Sequence, residues 1–252
     1  MRRLLPLLLL ALPLHAEIPA LLAEAVQKFG KDNDRWAYTE SIVQKDEKGR
    51  DKQRTTVRFD PSKPYTEQYT PLEIDGKPPT ESQLKKYRAK GQKRGTNIDK
   101  AEREDAPPKR KSVGELMDLD HATVKDEDAV SVTYEVPFIK EGNTRFPPEK
   151  FLVLARVSKP LRALEGVDVK LRESMRAAFV VKIKSGEATF LFKPADPKFA
   201  PPLTSVRAHG SASILFVPFG GSVAADRTDF KRVKPYGDRF EVQIGPLKAL
   251  DF

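Results

Sequence analysis

The chain has 252 residues, 45 Lys and Arg against 36 Asp and Glu, a net charge of +9 and no cysteine. That length suffices for a substantial core, and without cysteine there can be no disulfide, no thiol nucleophile and no Cys-based metal site. The charge is local: residues 77–111 hold twelve Lys/Arg and five Asp/Glu, and Arg2 and Arg3 supply the rest of the excess.

Residues 1–16 read as a bacterial signal peptide. Two arginines precede an apolar run to Leu14, and the small residue Ala16 marks the expected cleavage site. The run is too short to span a bilayer. With no cysteine to carry a lipid, a free periplasmic protein of residues 17–252 is expected, not a lipoprotein. Leu21, Leu22, Ala25, Val26 and Phe29 then recur at helical spacing, with Gly30 as a stop. Residues 35–44, carrying Trp36 and Tyr38, read as a strand that turns at residues 46–49. Further strands are expected at 55–60 and 65–74, ending in the turn Asp75-Gly76.

Thr80 and Gln83 form a capping box ahead of Leu84 and Tyr87. From residue 89 to 111 there is little to bury, and Pro107-Pro108 interrupts any regular element. This predicts a basic, partly disordered insertion at about 77–111, with Lys85, Lys86, Arg88, Lys93 and Arg94 as its basic surface. Ser112 and Glu115 offer a second capping box before a short helix over 113–119.

Alternating strands follow at 130–136, 151–157 and 167–171. Residues 177–192 predict a hairpin turning at Ser185-Gly186. That register pairs Phe179 with Phe192, Val181 with Phe190 and Ile183 with Ala188 on one apolar face. Lys182, Lys184, Glu187 and Thr189 fall on the other. A strand over 205–217, a turn at Gly220-Gly221 and a last pair over 223–233 and 239–244 complete about ten strands. A sheet of that size must curl or close to protect its edges.

The order of elements over residues 18–76 resembles the start of the LolA-like family of periplasmic lipoprotein carriers. The match comprises a small amphipathic helix, an aromatic strand, the Asp46 to Gly49 turn, Val57-Arg58-Phe59-Asp60-Pro61, a Tyr-rich strand and Ile74-Asp75-Gly76. Asp229-Phe230-Lys231-Arg232-Val233 is similar to a late strand of such proteins, whereas the basic insertion departs from the carrier pattern. The resemblance implies a mainly β (α+β) single domain. Its large curved antiparallel sheet, or half-open barrel, would surround an apolar concavity, with an N-terminal helix and a few short covering helices.

The expected function is non-enzymatic: binding of a lipid, an acyl chain or a lipid-bearing partner in that concavity. Trp36, Phe179, Val181, Ile183, Phe190 and Phe192 are the candidate ligand-binding residues. The alternative is an envelope interaction or sensor protein that uses the same fold without carrying lipid. The basic insertion suits an anionic membrane surface better than nucleic acid, since its only aromatic residue is Tyr87. No catalytic residue, metal ligand or cofactor motif is expected. His121 and His209 read as loop and turn residues. The acidic residues Asp118, Asp120, Asp126, Glu127 and Asp128 lack the glycine of a calcium loop. Oligomeric state is not legible in the sequence.

Overall fold

The computed structural model describes residues 19–104, 116–140, 147–178, 181–214 and 217–239. In chain order the elements are α1 (Ala20–Asp32), β1 (Trp36–Asp46), β2 (Asp51–Phe59), β3 (Tyr69–Ile74), α2 (Glu81–Glu104), β4 (Thr123–Glu127) and β5 (Ser131–Glu135). They continue with β6 (Phe151–Ser158), β7 (Ala163–Leu171), β8 (Met175–Ala178), β9 (Val181–Phe192), β10 (Leu203–Ile214) and β11 (Val217–Arg232). All strands belong to one antiparallel sheet in the order β3-β2-β1-β11-β10-β9-β7-β6-β5-β4, with β8 paired to β9 beside that path. The outermost strands β3 and β4 do not pair with each other, so the sheet curls without closing. The fold is mainly β, with an N-terminal helix over the curved sheet.

The concave face follows from register. Val132 opposes Val157, Tyr134 opposes Ala155, Val153 opposes Val169, and Val167 lies between Ala155 and Phe190. Opposed residues share a face, so this half of the sheet presents a continuous apolar surface. α1 covers it, with Leu22 and Ala25 fully buried and the Phe29 ring edge-on to Phe192 at 5.1 Å. Each fully buried large aliphatic side chain contributes about 1.5–3 kcal/mol. Polar ties fix both ends of the helix. Glu24 pairs with Arg162 and Lys28, which hold its carboxyl down to about 2, while Asp32 accepts a hydrogen bond from the Ala200 amide and pairs with Arg232.

Several local expectations hold. Asp75 and Gly76 both take positive φ, closing β3 back toward Lys77. The capping box forms: the Thr80 amide donates to Gln83 Oε1 at 2.7 Å, and the Gln83 amide donates to Thr80 Oγ1 at 3.4 Å. α1 runs past Gly30 to Asp32. Residues 65–67 form a single 3-10 turn ahead of β3, and β4 is a strand that the alternation did not mark. Residues 1–16, the Ser112–Glu115 capping box, the Pro107-Pro108 break, Phe179 and the last strand beyond Arg239 lie outside the described residues.

The segment expected to be partly disordered is a continuous helix as far as Glu104. Its apolar content is low, as the sequence indicates. What holds it is close backbone contact: a Cβ on Gly91 would lie 1.9 Å from the Tyr65 carbonyl oxygen, and one on Gly95 would lie 2.3 Å from the Tyr65 ring. Two glycines four residues apart let the helix rest directly on the 3-10 turn.

The Ser185-Gly186 hairpin is corrected. β9 runs unbroken through both residues, and Gly186 opposes Gly210 of β10. The reversal instead links Ala178 to Val181, which oppose each other across β8 and β9. The expected turn at Gly220-Gly221 is likewise internal to β11, where Gly221 opposes both Gly210 and Asp46. Gly186, Gly210 and Gly221 therefore form one row across three adjacent strands. At Gly221 φ is +149° and a Cβ would sit 2.1 Å from the Lys45 carbonyl oxygen, whereas Gly186 has open space around it. Gly221→Ala is expected to destabilise the protein by about 1–3 kcal/mol. Gly186→Val should be neutral or stabilising by up to about 1 kcal/mol, because an extended site favours a β-branched residue. Urea denaturation of the two variants checks the pair, and strong destabilisation by Gly186→Val would restore the tight turn.

Candidate functional site

β1, β2 and β3 build the other half of the concavity from aromatic residues. Tyr38 opposes Phe59 and Phe59 opposes Tyr69, with ring centroids 5.2 Å and 4.9 Å apart. α1 does not reach this half. Between its Phe29 and the aromatic ladder lies a cleft of about 260 Å³, near the lower size limit for small-ligand sites. Leu164, Val167, Phe190, Phe192 and Leu203 form its apolar floor, with Met117 alongside.

Two arginines stand at the polar side of the cleft, each with a carboxylate. Arg227 Nε donates to Glu40 Oε1 at 2.7 Å, and its guanidinium lies 4.3 Å from the centre of the Tyr38 ring. Arg94 reaches in from α2, donating to Gln68 Oε1 at 2.9 Å and lying 3.5 Å from Asp34 Oδ1, with its guanidinium 5.5 Å from the Phe59 ring. Gln68 is 1% exposed and donates in turn to the Pro61 and Lys63 carbonyls, so Arg94 rests on a fixed partner. Burial pushes the Tyr38 phenol well above its ordinary pKa, against the opposing pull of Arg227.

Arg94 and Asp34 also border a second, polar cavity of about 490 Å³, to which Lys31, Arg35 and Asp238 contribute. The apolar cleft and the polar cavity thus meet at the Arg94–Asp34 contact. Lys90 covers the outer edge of the ladder, its ammonium 4.2 Å from the centre of the Tyr69 ring; the loss of water there lowers its pKa.

The expected site residues separate into groups. Phe190 and Phe192 line the cleft, although Phe192 is also core against Phe29. Trp36 is buried among Phe199, Phe230 and Arg232 and does not line it; its Nε1 has no hydrogen-bond partner. Val181 and Ile183 lie on the far part of β9, past the Gly186 row, away from the cleft. Lys85, Lys86, Arg88 and Lys93 are exposed on α2, but Arg94 faces inward and is not part of a basic surface. His121 is exposed and contacts Asp118 at 2.9 Å, and among the described residues no group of three acidic or histidine side chains could hold a metal ion.

Tyr38, Phe59, Tyr69 and Phe29 complete the cleft; the first three were readable only as residues of expected strands and Phe29 only as part of the apolar face of the first helix. Arg227 carried no signal at all. A bulge at Asp229, where φ is +53°, shifts the alternation of β11, so Arg227 joins Phe230 and Arg232 on the face that strict alternation would deny it. The chain matches no known protein family, no curated protein and no solved structure.

The docking of α2 can be tested through the sign of two substitutions. Gly30→Ala in α1 meets nothing within 4 Å and should stabilise by about 0.5–1 kcal/mol from helix propensity alone. Gly91→Ala makes the same chemical change but must displace α2 from Tyr65, and should destabilise it. Hydrogen exchange of α2 amides reports the second effect; equal stabilisation by both changes would rule out the close approach.

Proposed function

We propose that this protein binds the apolar chain of a lipid, a fatty acid or a lipid-bearing partner in the cleft between α1 and the Tyr38–Phe59–Tyr69 ladder. Support comes chiefly from the apolar cleft abutting a polar cavity at Arg94 and Asp34. That arrangement suits an amphiphile, with its chain on Phe190 and Leu203 and its head toward Arg94 and Lys31. The resemblance of residues 18–76 to LolA-like carriers and the signal-like residues 1–16 agree with a carrier exported to the periplasm. The protein's part in this reading is physical, not chemical: it removes methylene surface from water and offers arginine to an acidic head. Each buried methylene is worth about 0.8 kcal/mol.

A fatty acid with a fluorescent reporter, displaced by unlabelled chains of increasing length, tests the reading. Affinity should rise about tenfold for every two methylenes added until the cleft is filled. Phe190→Asp should abolish uptake while the melting transition stays cooperative, since Phe190 is only partly buried. No uptake by the wild-type protein, combined with no lipid in native mass spectra of protein taken from its own envelope, would end the proposal.

A further inference from the structure

β9, β10 and β11, each of which contributes a residue to the lining of the cleft, extend away from it as an arm. β7 leaves β9 at Lys170–Glu187, and β1 leaves β11 at Asp46–Gly221, yet β9, β10 and β11 stay paired to Val181, Ile214 and Val217. Beyond the row of Gly186, Gly210 and Gly221 the arm continues for four or five residues, roughly 15 Å. Among the described residues only the short β8 accompanies it, along β9.

The arm is apolar on the face continuous with the concavity. Ile183 opposes Ala212, and Ala212 opposes Phe219, with Val181 and Val217 one step further out. Val217 is 67% exposed and Phe219 46% exposed, the first being the most exposed of the large hydrophobic side chains described. Two apolar dipeptides, Phe179-Val180 and Leu215-Phe216, connect these strands in sequence, and residues 210–225 contain no charged residue. A soluble surface seldom leaves such residues together without a partner.

Charge indicates the partner. Residues 174–186 carry Arg176, Lys182 and Lys184 and no acidic residue, and all three cations are exposed. Lys182 and Lys184 alternate with Val181 and Ile183, so they stand on the opposite face of β9, where they can flank an apolar strip in contact with a bilayer. Glu187 stands at the base of the arm, 3.3 Å from His209. We propose that this arm is a membrane-docking element that lays Val217 and Phe219 into the interface of an anionic bilayer, with Arg176, Lys182 and Lys184 at the headgroups. The outer edge of β11 from Val217 to Gly220 has no neighbouring strand among the described residues. Its amides and carbonyls need water or headgroup partners, which limits the arm to the interface and keeps it out of the hydrocarbon. The proposal is independent of what the cleft binds.

Cosedimentation of the protein beginning at Glu17 with phosphatidylcholine vesicles, with and without phosphatidylglycerol, provides the test. Binding is expected only with phosphatidylglycerol, and should weaken as salt rises. Val217→Ser combined with Phe219→Ser should weaken partitioning on the order of a hundredfold, about tenfold per side chain. Lys182→Glu with Lys184→Glu should reduce it at least tenfold, whereas Lys85→Glu with Lys86→Glu on α2 should leave it nearly unchanged. All six positions are exposed, so thermal melts should coincide with wild type. Failure to bind phosphatidylglycerol vesicles, or binding lost through the α2 pair and not through the arm, overturns the proposal. So does concentration-dependent dimerisation in sedimentation velocity that Phe219→Ser abolishes without any vesicle binding, which would assign the arm to a second copy of the chain.

Discussion

One helix must cover the concave face of a sheet much wider than itself. α1 has 13 residues, and it spends Leu22, Ala25 and Phe29 on β6, β7 and Phe192. That contact creates the main core, and the pairing of Glu24 with Arg162 and of Asp32 with Arg232 keeps the helix on that half. The other half, over β1, β2 and β3, is shielded by its own tyrosine and phenylalanine rings, by a set of ion pairs and by Lys90 and Arg94 of α2. The cleft is therefore a consequence of where α1 lies, and it needs no specially excavated pocket. It also explains why the two arginines carry carboxylate partners: a bare guanidinium beside Tyr38 or Phe59 would lose water without compensation.

Glycine sets the remaining geometry, by permitting close approach more often than by turning the chain. Gly91 and Gly95 let a helix with few apolar residues dock on Tyr65, which brings Arg94 to Gln68 and to the cleft. Gly186, Gly210 and Gly221 leave a row across β9, β10 and β11 with no side chains. There Gly221 meets the Lys45 carbonyl and Gly220 meets the Gly210 carbonyl. The row interrupts an otherwise continuous apolar face and divides it into a floor beneath α1 and an arm beyond it.

The sheet was largely legible because alternation is a direct imprint of one buried face. Val132, Tyr134 and Val136, then Val153, Ala155 and Val157, could be read in sequence and are buried as that reading requires. The Thr80–Gln83 box was legible for a similar reason, as a local bond between two residue types at fixed spacing. The region around Ser185-Gly186 shows where this reasoning stops. Between Ile183 and Ser185 the register of β9 against β10 slips by one residue, so Lys184 is an inserted residue that flips the alternation. A hairpin turn would produce the same flip. The apolar set of Val181, Ile183, Ala188, Phe190 and Phe192 therefore comes out the same under either topology, and only long-range pairing with β10 separates them. Arg227 was hidden by the corresponding device at Asp229. Arg94 was hidden because nothing in a basic stretch marks which arginine will find a buried glutamine.

The cleft and the arm share three strands but lie at opposite ends of them. From Phe190 to Val181 is nine residues, roughly 30 Å along β9. A chain leaving a bilayer at the arm could not reach the floor at Phe190 without crossing the glycine row, where no side chain offers it apolar contact. The arm therefore does not serve as a chute into the cleft. If both properties hold, docking orients the protein while ligand enters from the side where α2 and Arg94 border the polar cavity. The two ends then divide the work, one recognising a surface and the other a molecule. A sheet that had closed into a barrel would have had neither the open side nor the projecting strands.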